Sequence, residues 1–207
     1  MKLHLTLALA ALVLTTPGLA LAQESSGTAA ETSEPALAPM PADREAGLPQ
    51  WEKVFAVFSH PRCSNCHVGD DGIPVWSGPS YGKTRPHGMH IASGESRIGV
   101  EFVSCPTCHG ASNVPVPHGP PGAPNWQLAP AEMQWIGRTS PEVCTQIKDP
   151  ETNGGRTLEE VADHVRDDPL VAWGWTPGPG REPAPGSADE TFQALTAWIA
   201  AGAPCPL

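Results

Sequence analysis

The sequence is short of positive charge. Of its 207 residues, 12 are Lys or Arg and 22 are Asp or Glu, which gives a formal net charge of −10. A nucleic-acid-binding surface needs clustered positive charge, so this balance argues against a nucleic-acid partner. An acidic surface can instead attract a basic protein partner.

The sequence also lacks an apolar run long enough to cross a membrane. The first such run, residues 5–14, is followed by Pro17 and falls short of the roughly 20 apolar residues that a spanning helix needs. With the basic Lys2 and the Ala20-Leu21-Ala22 site, it is typical of a cleaved secretory signal peptide. We expect residues 1–22 to be removed, the mature chain to be periplasmic, and no transmembrane segment to remain.

Regular secondary structure is limited too. With 25 prolines and 21 glycines, much of the chain is predicted to be loop. Residues 23–47 are rich in Ala, Pro, Ser, Thr and Glu without helical or strand periodicity, and they predict a disordered tether. The folded domain is therefore expected to span residues 48–207.

Four stretches of this domain carry helix signals, either apolar residues at helical spacing or a capping sequence. They are residues 49–58, 140–148, 157–167 and 187–202. Pro61 is expected to end the first helix, and Ser140 to cap the second. The prediction is a mainly α fold of four or five helices joined by long Pro/Gly-rich loops.

Four of the six cysteines occur in two copies of one pentapeptide, Cys-x-x-Cys-His. The copies are Cys63-Ser64-Asn65-Cys66-His67 and Cys105-Pro106-Thr107-Cys108-His109. This pattern is the attachment signature for c-type haem. Thiols three positions apart point the same way from one helical turn, so each copy can form two thioethers to one porphyrin. His67 and His109 are then the proximal iron ligands, and the chain is expected to carry two haem c groups.

Three other interpretations of these cysteines remain open. The first is a zinc site, but the gap between Cys66 and Cys105 is well beyond the roughly 15–20 residues usual in zinc ribbons, and zinc leaves both histidines unexplained. The second is a pair of redox-active dithiols, yet no βαβ pattern surrounds either copy. Structural disulfides are the third. Export from the cytoplasm suits haem attachment as well as stable disulfides.

The distal iron ligands are sought among the remaining His and Met residues. His87 lies between the two pentapeptides and is favoured over His90, because a proline precedes it and a glycine follows it. His164 borders the apolar face of its predicted helix, and Met133 is a candidate thioether ligand. Each also has an ordinary interpretation: an exposed loop histidine, a half-buried helix histidine and a flexible core methionine.

Cys144 and Cys205 are the two cysteines left over. An even remainder in an exported protein suggests a disulfide, which here joins the C-terminal tail to the second predicted helix. Arg181 is a candidate partner for a haem propionate, although a surface role fits it equally well. Trp173 and Trp175 are candidates to cover a haem or to fill the core.

The paired pentapeptides resemble those of small exported dihaem c-type cytochromes. More narrowly, residues 51–205 are similar to exported haem proteins labelled isoquinoline 1-oxidoreductase subunit. The stretches that carry this similarity are residues 122–130, 146–150, 153–156 and 173–175. The resemblance implies cytochrome-c-like helices wrapped around two covalently bound haems, with a molybdenum hydroxylase as the redox partner.

These features predict an exported protein that passes electrons between a periplasmic oxidoreductase and a respiratory acceptor. No segment resembles a molybdopterin or iron–sulfur domain, so the chain is not expected to catalyse a hydroxylation itself. The alternative is a small peroxidase-like haem enzyme with one iron left five-coordinate. Enough His and Met residues remain to fill both sixth coordination positions, which favours electron transfer.

Overall fold

The computed structural model describes residues 41–100 and 103–207 of the chain. The predicted signal peptide, residues 1–22, and the predicted tether up to residue 40 lie outside the described residues. The described residues cluster in one compact unit. None of their helices is both long enough and apolar enough to cross a membrane.

The described residues contain six α-helices, separated by long loops rich in proline and glycine. They are α1 (Arg44–Phe58), α2 (Pro61–Ser64), α3 (Ser140–Lys148), α4 (Leu158–Asp167), α5 (Pro169–Ala172) and α6 (Ala188–Ala200). Four two-residue strands form two antiparallel hairpins, β1 (Val75–Trp76) with β2 (Arg85–Pro86) and β3 (Gly99–Val100) with β4 (Val103–Ser104). The prediction of a mainly α fold is confirmed.

Helix α1 begins earlier than predicted. Its first residue is Arg44, and the Asp43 side chain caps it by accepting a hydrogen bond from the Ala46 amide (3.0 Å). Residues 44–47 of the predicted tether are therefore helical, and the folded domain starts at about Asp43. A contact from far away in the sequence also holds this turn: the Asp43 amide donates to the Ala201 carbonyl oxygen in the C-terminal tail (2.8 Å).

The predicted end of α1 at Phe58 is confirmed, but Pro61 and Ser140 do not have the roles predicted for them. Helix α1 ends at Phe58, and Pro61 instead begins α2, where its missing amide is one that an early helix position leaves unpaired anyway. Helix α3 has the predicted bounds, but its cap is Thr139 and not Ser140. The Thr139 amide donates to Oε2 of Glu142 (2.7 Å), as in a capping box.

Helix α6 packs against both α1 and α4 and so forms the centre of the core. The largest fully buried side chains are Trp51, Trp198, Phe58, Ile147 and Leu195. The Trp51 and Trp198 ring centres are 5.1 Å apart, which joins α1 to α6. The Trp51 indole N–H donates to the Ser140 hydroxyl oxygen (2.8 Å), which joins α1 to α3.

A disulfide joins Cys144 of α3 to Cys205 in the C-terminal tail, the pair expected from the sequence. It closes a loop over a sequence separation of 61 residues. Lys148 also holds the tail, because its ammonium group donates to the Ala203 carbonyl oxygen (2.7 Å). The tail that holds the first turn of α1 is therefore itself attached to α3.

Replacing both cysteines, Cys144→Ala with Cys205→Ala, should lower the free energy of unfolding by about 4 kcal/mol, because opening a loop of this length raises the entropy of the unfolded chain. Urea unfolding of the full chain, followed by circular dichroism, measures this loss against the oxidised wild type. An unchanged unfolding midpoint would show that noncovalent contacts alone hold the tail.

Candidate functional site

The two Cys-x-x-Cys-His pentapeptides adopt the same backbone turn. In the first copy, the Cys63 carbonyl oxygen accepts hydrogen bonds from the amides of Cys66 (3.1 Å) and His67 (3.2 Å). The Cys105 carbonyl oxygen accepts the equivalent pair in the second copy, at 3.2 and 3.0 Å. Each copy is one helical turn, in which residues three apart project from the same side. Both thiols of a copy can therefore reach one planar group, with the imidazole beside them.

Each motif histidine has one ring nitrogen bonded to the backbone. Nδ1 of His67 lies 2.9 Å from the Met133 carbonyl oxygen, and Nδ1 of His109 lies 2.7 Å from the Pro121 carbonyl oxygen. A carbonyl oxygen only accepts hydrogen bonds, so Nδ1 carries the proton in both rings and donates it. Nε2 then keeps its lone pair, which is the state in which an imidazole binds a metal.

Indole rings fix the orientation of both imidazoles. His67 stacks on Trp135 with ring centres 3.5 Å apart and planes within 4°. His109 stacks on Trp126 at 4.8 Å and 8°, and Trp126 meets Trp173 edge-on at 5.2 Å. Both motifs therefore have a carbonyl acceptor on Nδ1 and an indole on the ring face, although different loops provide them.

Burial controls the protonation of the motif side chains. It lowers the pKa of both His67 and His109 below the ordinary value, so both rings are neutral at neutral pH. It raises the pKa of the Cys63, Cys66 and Cys105 thiols. Dithiol oxidoreductases need a thiol with a lowered pKa, so the structure disfavours the redox-pair interpretation. All four motif cysteines are free thiols, which gives no support to structural disulfides among them.

The second motif opens into a cavity of about 320 Å³. Cys105, Cys108 and His109 line this cavity, and so does Cys66 of the first motif. Its apolar lining includes Ile91, Val103, Trp126, Leu128 and Trp173. A mostly apolar cavity with a few convergent polar groups is typical of a cofactor site. Trp173, which was expected to cover a haem or fill the core, contacts this cavity.

His87 is the predicted distal ligand with the clearest placement. Its ring lines the same cavity, and its ring centre is 5.9 Å from that of His109. The β1–β2 hairpin positions it, because the His87 amide donates to the Pro74 carbonyl oxygen (2.8 Å). Nδ1 of His87 lies 2.8 Å from the Gly88 carbonyl oxygen, which leaves Nε2 for another partner. His90 is exposed and is not among the residues that line the cavity.

His164 lies on α4 and is half-buried. Nδ1 of His164 is 3.2 Å from the Asp168 carboxylate, which leaves its Nε2 for another partner. Met133 is buried in the core, and its carbonyl oxygen contacts His67. This backbone contact is a role for Met133 that the sequence did not indicate.

Arg97 joins the residues that directly follow the first motif to a second segment, the acceptor loop. This loop leads to Met133, whose carbonyl oxygen accepts the hydrogen bond from His67. The Arg97 guanidinium donates to the carbonyl oxygens of Ala129 (2.7 Å), Val68 (3.0 Å) and Gly69 (3.3 Å). Val68 and Gly69 follow the first motif directly, and Ala129 belongs to the acceptor loop. No sequence pattern marks Arg97, so the sequence analysis missed it.

Two arginines line the cavity of the second motif, Arg62 and Arg181. Arg181 was a candidate from the sequence, and it donates to the carbonyl oxygens of Pro177 and Gly119. Arg62 was missed, because its position next to Cys63 gives no sign that its side chain reaches the second motif. Both guanidinium groups bring positive charge to a mostly apolar cavity.

Within residues 41–100 and 103–207, no three His, Cys, Asp or Glu side chains are grouped so that they could hold a metal ion by themselves. The structure therefore gives no support to the zinc interpretation, which needs four such ligands. No protein-family model, no curated protein and no solved structure matches the chain. The similarity to isoquinoline 1-oxidoreductase subunits and the cytochrome-c-like fold stay predictions.

Replacing Arg97 by Met should lower the free energy of unfolding by about 2 kcal/mol, since three backbone carbonyl groups lose a charged hydrogen-bond donor. Arg138→Met is the matched control, because Arg138 is exposed and pairs with Glu142 one helical turn away. The control should lose less than about 0.5 kcal/mol. Urea unfolding of the full chain measures both. Equal losses would contradict a special role for Arg97.

Proposed function

We propose that the chain is an exported dihaem c-type cytochrome that carries electrons. The observation behind this proposal is the match between the two motifs. Each sets two thiols on one helical turn and places beside them a neutral imidazole whose Nδ1–H is held by a carbonyl oxygen. A proximal haem ligand needs this arrangement, because the outer acceptor orients the ring and Nε2 binds the iron.

The residues around the second motif fit a covalently held haem. Cys105 and Cys108 would form the thioethers, and His109 and His87 would bind the iron. The His109 and His87 ring centres are 5.9 Å apart, and the apolar cavity beside them keeps water from the group.

At the first motif, Cys63 and Cys66 would form the thioethers and His67 would be the proximal ligand. We propose His164 for the sixth position, because its Nδ1 contacts Asp168 and leaves Nε2 for a metal. Met133 is the less suitable candidate, since it already contacts His67 through its carbonyl oxygen and is buried in the core. Trp135 holds the His67 ring in place by stacking on it.

When bound, each haem supplies an iron that cycles between the ferric and ferrous states, and the axial ligands set its potential. The chain's own residues hold the porphyrins, orient the imidazoles and exclude water. Two histidines for each iron leave no open coordination position, which favours an electron carrier over the peroxidase-like alternative. We propose a periplasmic oxidoreductase as the electron donor and a respiratory acceptor as the protein that receives the electrons. The resemblance implies a molybdenum hydroxylase as this donor. The net charge of −10 suits a partner with a basic docking surface.

When produced with export and a haem-attachment pathway, the reduced, pyridine-treated protein should show two haem c groups per chain. Cys63→Ala with Cys66→Ala should remove one haem, and Cys105→Ala with Cys108→Ala the other, because each pair holds one porphyrin covalently. Absorbance per chain and intact mass measure the haem count.

The matched control for these variants is Cys144→Ala with Cys205→Ala, which removes the same number of sulfur atoms and should keep both haems. A colourless wild-type protein whose mass equals that of its processed polypeptide would overturn the proposal. One tightly bound zinc ion per chain would instead support the zinc interpretation.

His87→Ala should convert one of the two haems from low spin to high spin and make it bind cyanide, because the iron at the second motif loses its sixth ligand. His90→Ala is the matched control and should leave both haems low spin, since His90 is exposed and outside the cavity lining. Visible and electron paramagnetic resonance spectra measure the spin states. A wild-type haem that is already high spin and reacts with peroxide would support the enzyme alternative.

A further inference from the structure

The cavity beside the second motif contains a charged group whose hydrogen bonding is incomplete. The Arg62 side chain lines the cavity and is only 3% exposed. Its Nε has no hydrogen-bond partner among the described residues. Leaving a buried hydrogen-bond donor of a charged group without a partner costs free energy. We therefore expect a molecule bound in the cavity to provide an acceptor for Nε of Arg62.

Neighbouring groups fix the plane of this guanidinium. Nη2 of Arg62 donates to the Ser77 carbonyl oxygen (2.7 Å). The guanidinium carbon lies 5.8 Å from the centre of the Trp173 ring and 5.9 Å from that of the Tyr81 ring. Turning Nε toward a different protein acceptor would break these contacts. Among the described residues, Arg62 therefore presents an unpaired Nε–H donor at the cavity wall.

The charges around Arg62 leave room for an anion. Its acidic neighbour is Glu182, whose Oε1 lies 3.8 Å from Nη2, beyond hydrogen-bond length. The same oxygen has no hydrogen-bond partner among the described residues, while Oε2 accepts from Ser80. Arg181 brings a second guanidinium to the same cavity. The described residues that line the cavity thus include two guanidinium groups and no carboxylate.

We propose that Arg62 and Arg181 form a carboxylate-binding subsite of this cavity, and that it holds a propionate of the haem attached to the second motif. This inference rests on the proposed function. A guanidinium fork matches the two oxygens of a carboxylate, and both arginines lie at the wall of a cavity that the second motif lines. Arg62 is thus a positioning residue for the second haem, although it precedes Cys63 of the first motif. Its positive charge would also stabilise the reduced form of this haem and so raise its midpoint potential.

The test measures the midpoint potentials of both haems in the haem-bearing full chain by spectroelectrochemical titration. Nuclear Overhauser contacts from haem methyl groups to Trp126 or Trp135 assign each potential to a motif. Arg62→Met should lower the potential of the haem beside Trp126 more than that of the haem beside Trp135, because the Arg62 charge also acts on Cys63 and Cys66. Arg62→Lys, which keeps the charge but not the fork, should give a smaller shift. Arg138→Met is the matched control and should shift neither haem.

Several outcomes would overturn the proposal. An equal or larger shift in the haem beside Trp135 would place Arg62 at the first motif. Equal potentials in wild type and variant would show that its charge does not act on either haem. If Arg62→Met does not fold, Arg62→Lys and Arg181→Met carry the test, and wild-type potentials in both would reject the subsite. Added acetate is a further test. If acetate changes the potential of the haem beside Trp126 in the wild type but not in Arg62→Lys, the subsite binds a free carboxylate and not a propionate. Absence of haem from the wild-type protein would instead reject the proposed function itself.

Discussion

One kind of hydrogen bond, from an imidazole Nδ1 to a backbone carbonyl oxygen, determines what both motifs can do. It decides which ring nitrogen keeps its lone pair and in which direction the ring faces. The acceptor for His109 is Pro121, 12 residues further along, whereas the acceptor for His67 is Met133, 66 residues further along. The second motif is therefore built locally, while the first is complete only when distant parts of the chain have come together.

The two motifs also differ in what surrounds them. The first is joined to the helical core, because Trp135 stacks on both His67 and Phe58. The second lies in loops with little core of their own. Among the described residues between 72 and 130, Ala123 and Leu128 are the buried hydrophobic side chains. A porphyrin in the cavity would supply the apolar centre that these loops otherwise lack, which fits their high content of proline and glycine.

Local signals made part of this structure predictable. The capping sequence at Thr157 gave the start of α4, and the count of cysteines gave the Cys144–Cys205 pair. The start of α1 was missed: Asp43 is a local capping signal there, but the contact with Ala201 that also holds this turn comes from the other end of the chain. Arg97 and Arg62 were missed for the same reason, since their partners are carbonyl groups and rings brought together by the fold. Sequence patterns identified the cysteines and histidines that can bind a cofactor. The positions of the two arginine side chains depend on long-range contacts, which no sequence pattern marks.

The C-terminal tail connects to both sides of the helical core, through the Asp43 amide and through the disulfide to α3. With the export that we propose, both pentapeptides would cross the membrane before residues 201–205. Until those residues follow, the first turn of α1 lacks its hydrogen bond to Ala201, and the core lacks the tail. The proposed order would leave the motif thiols accessible for haem attachment until the tail closes the domain.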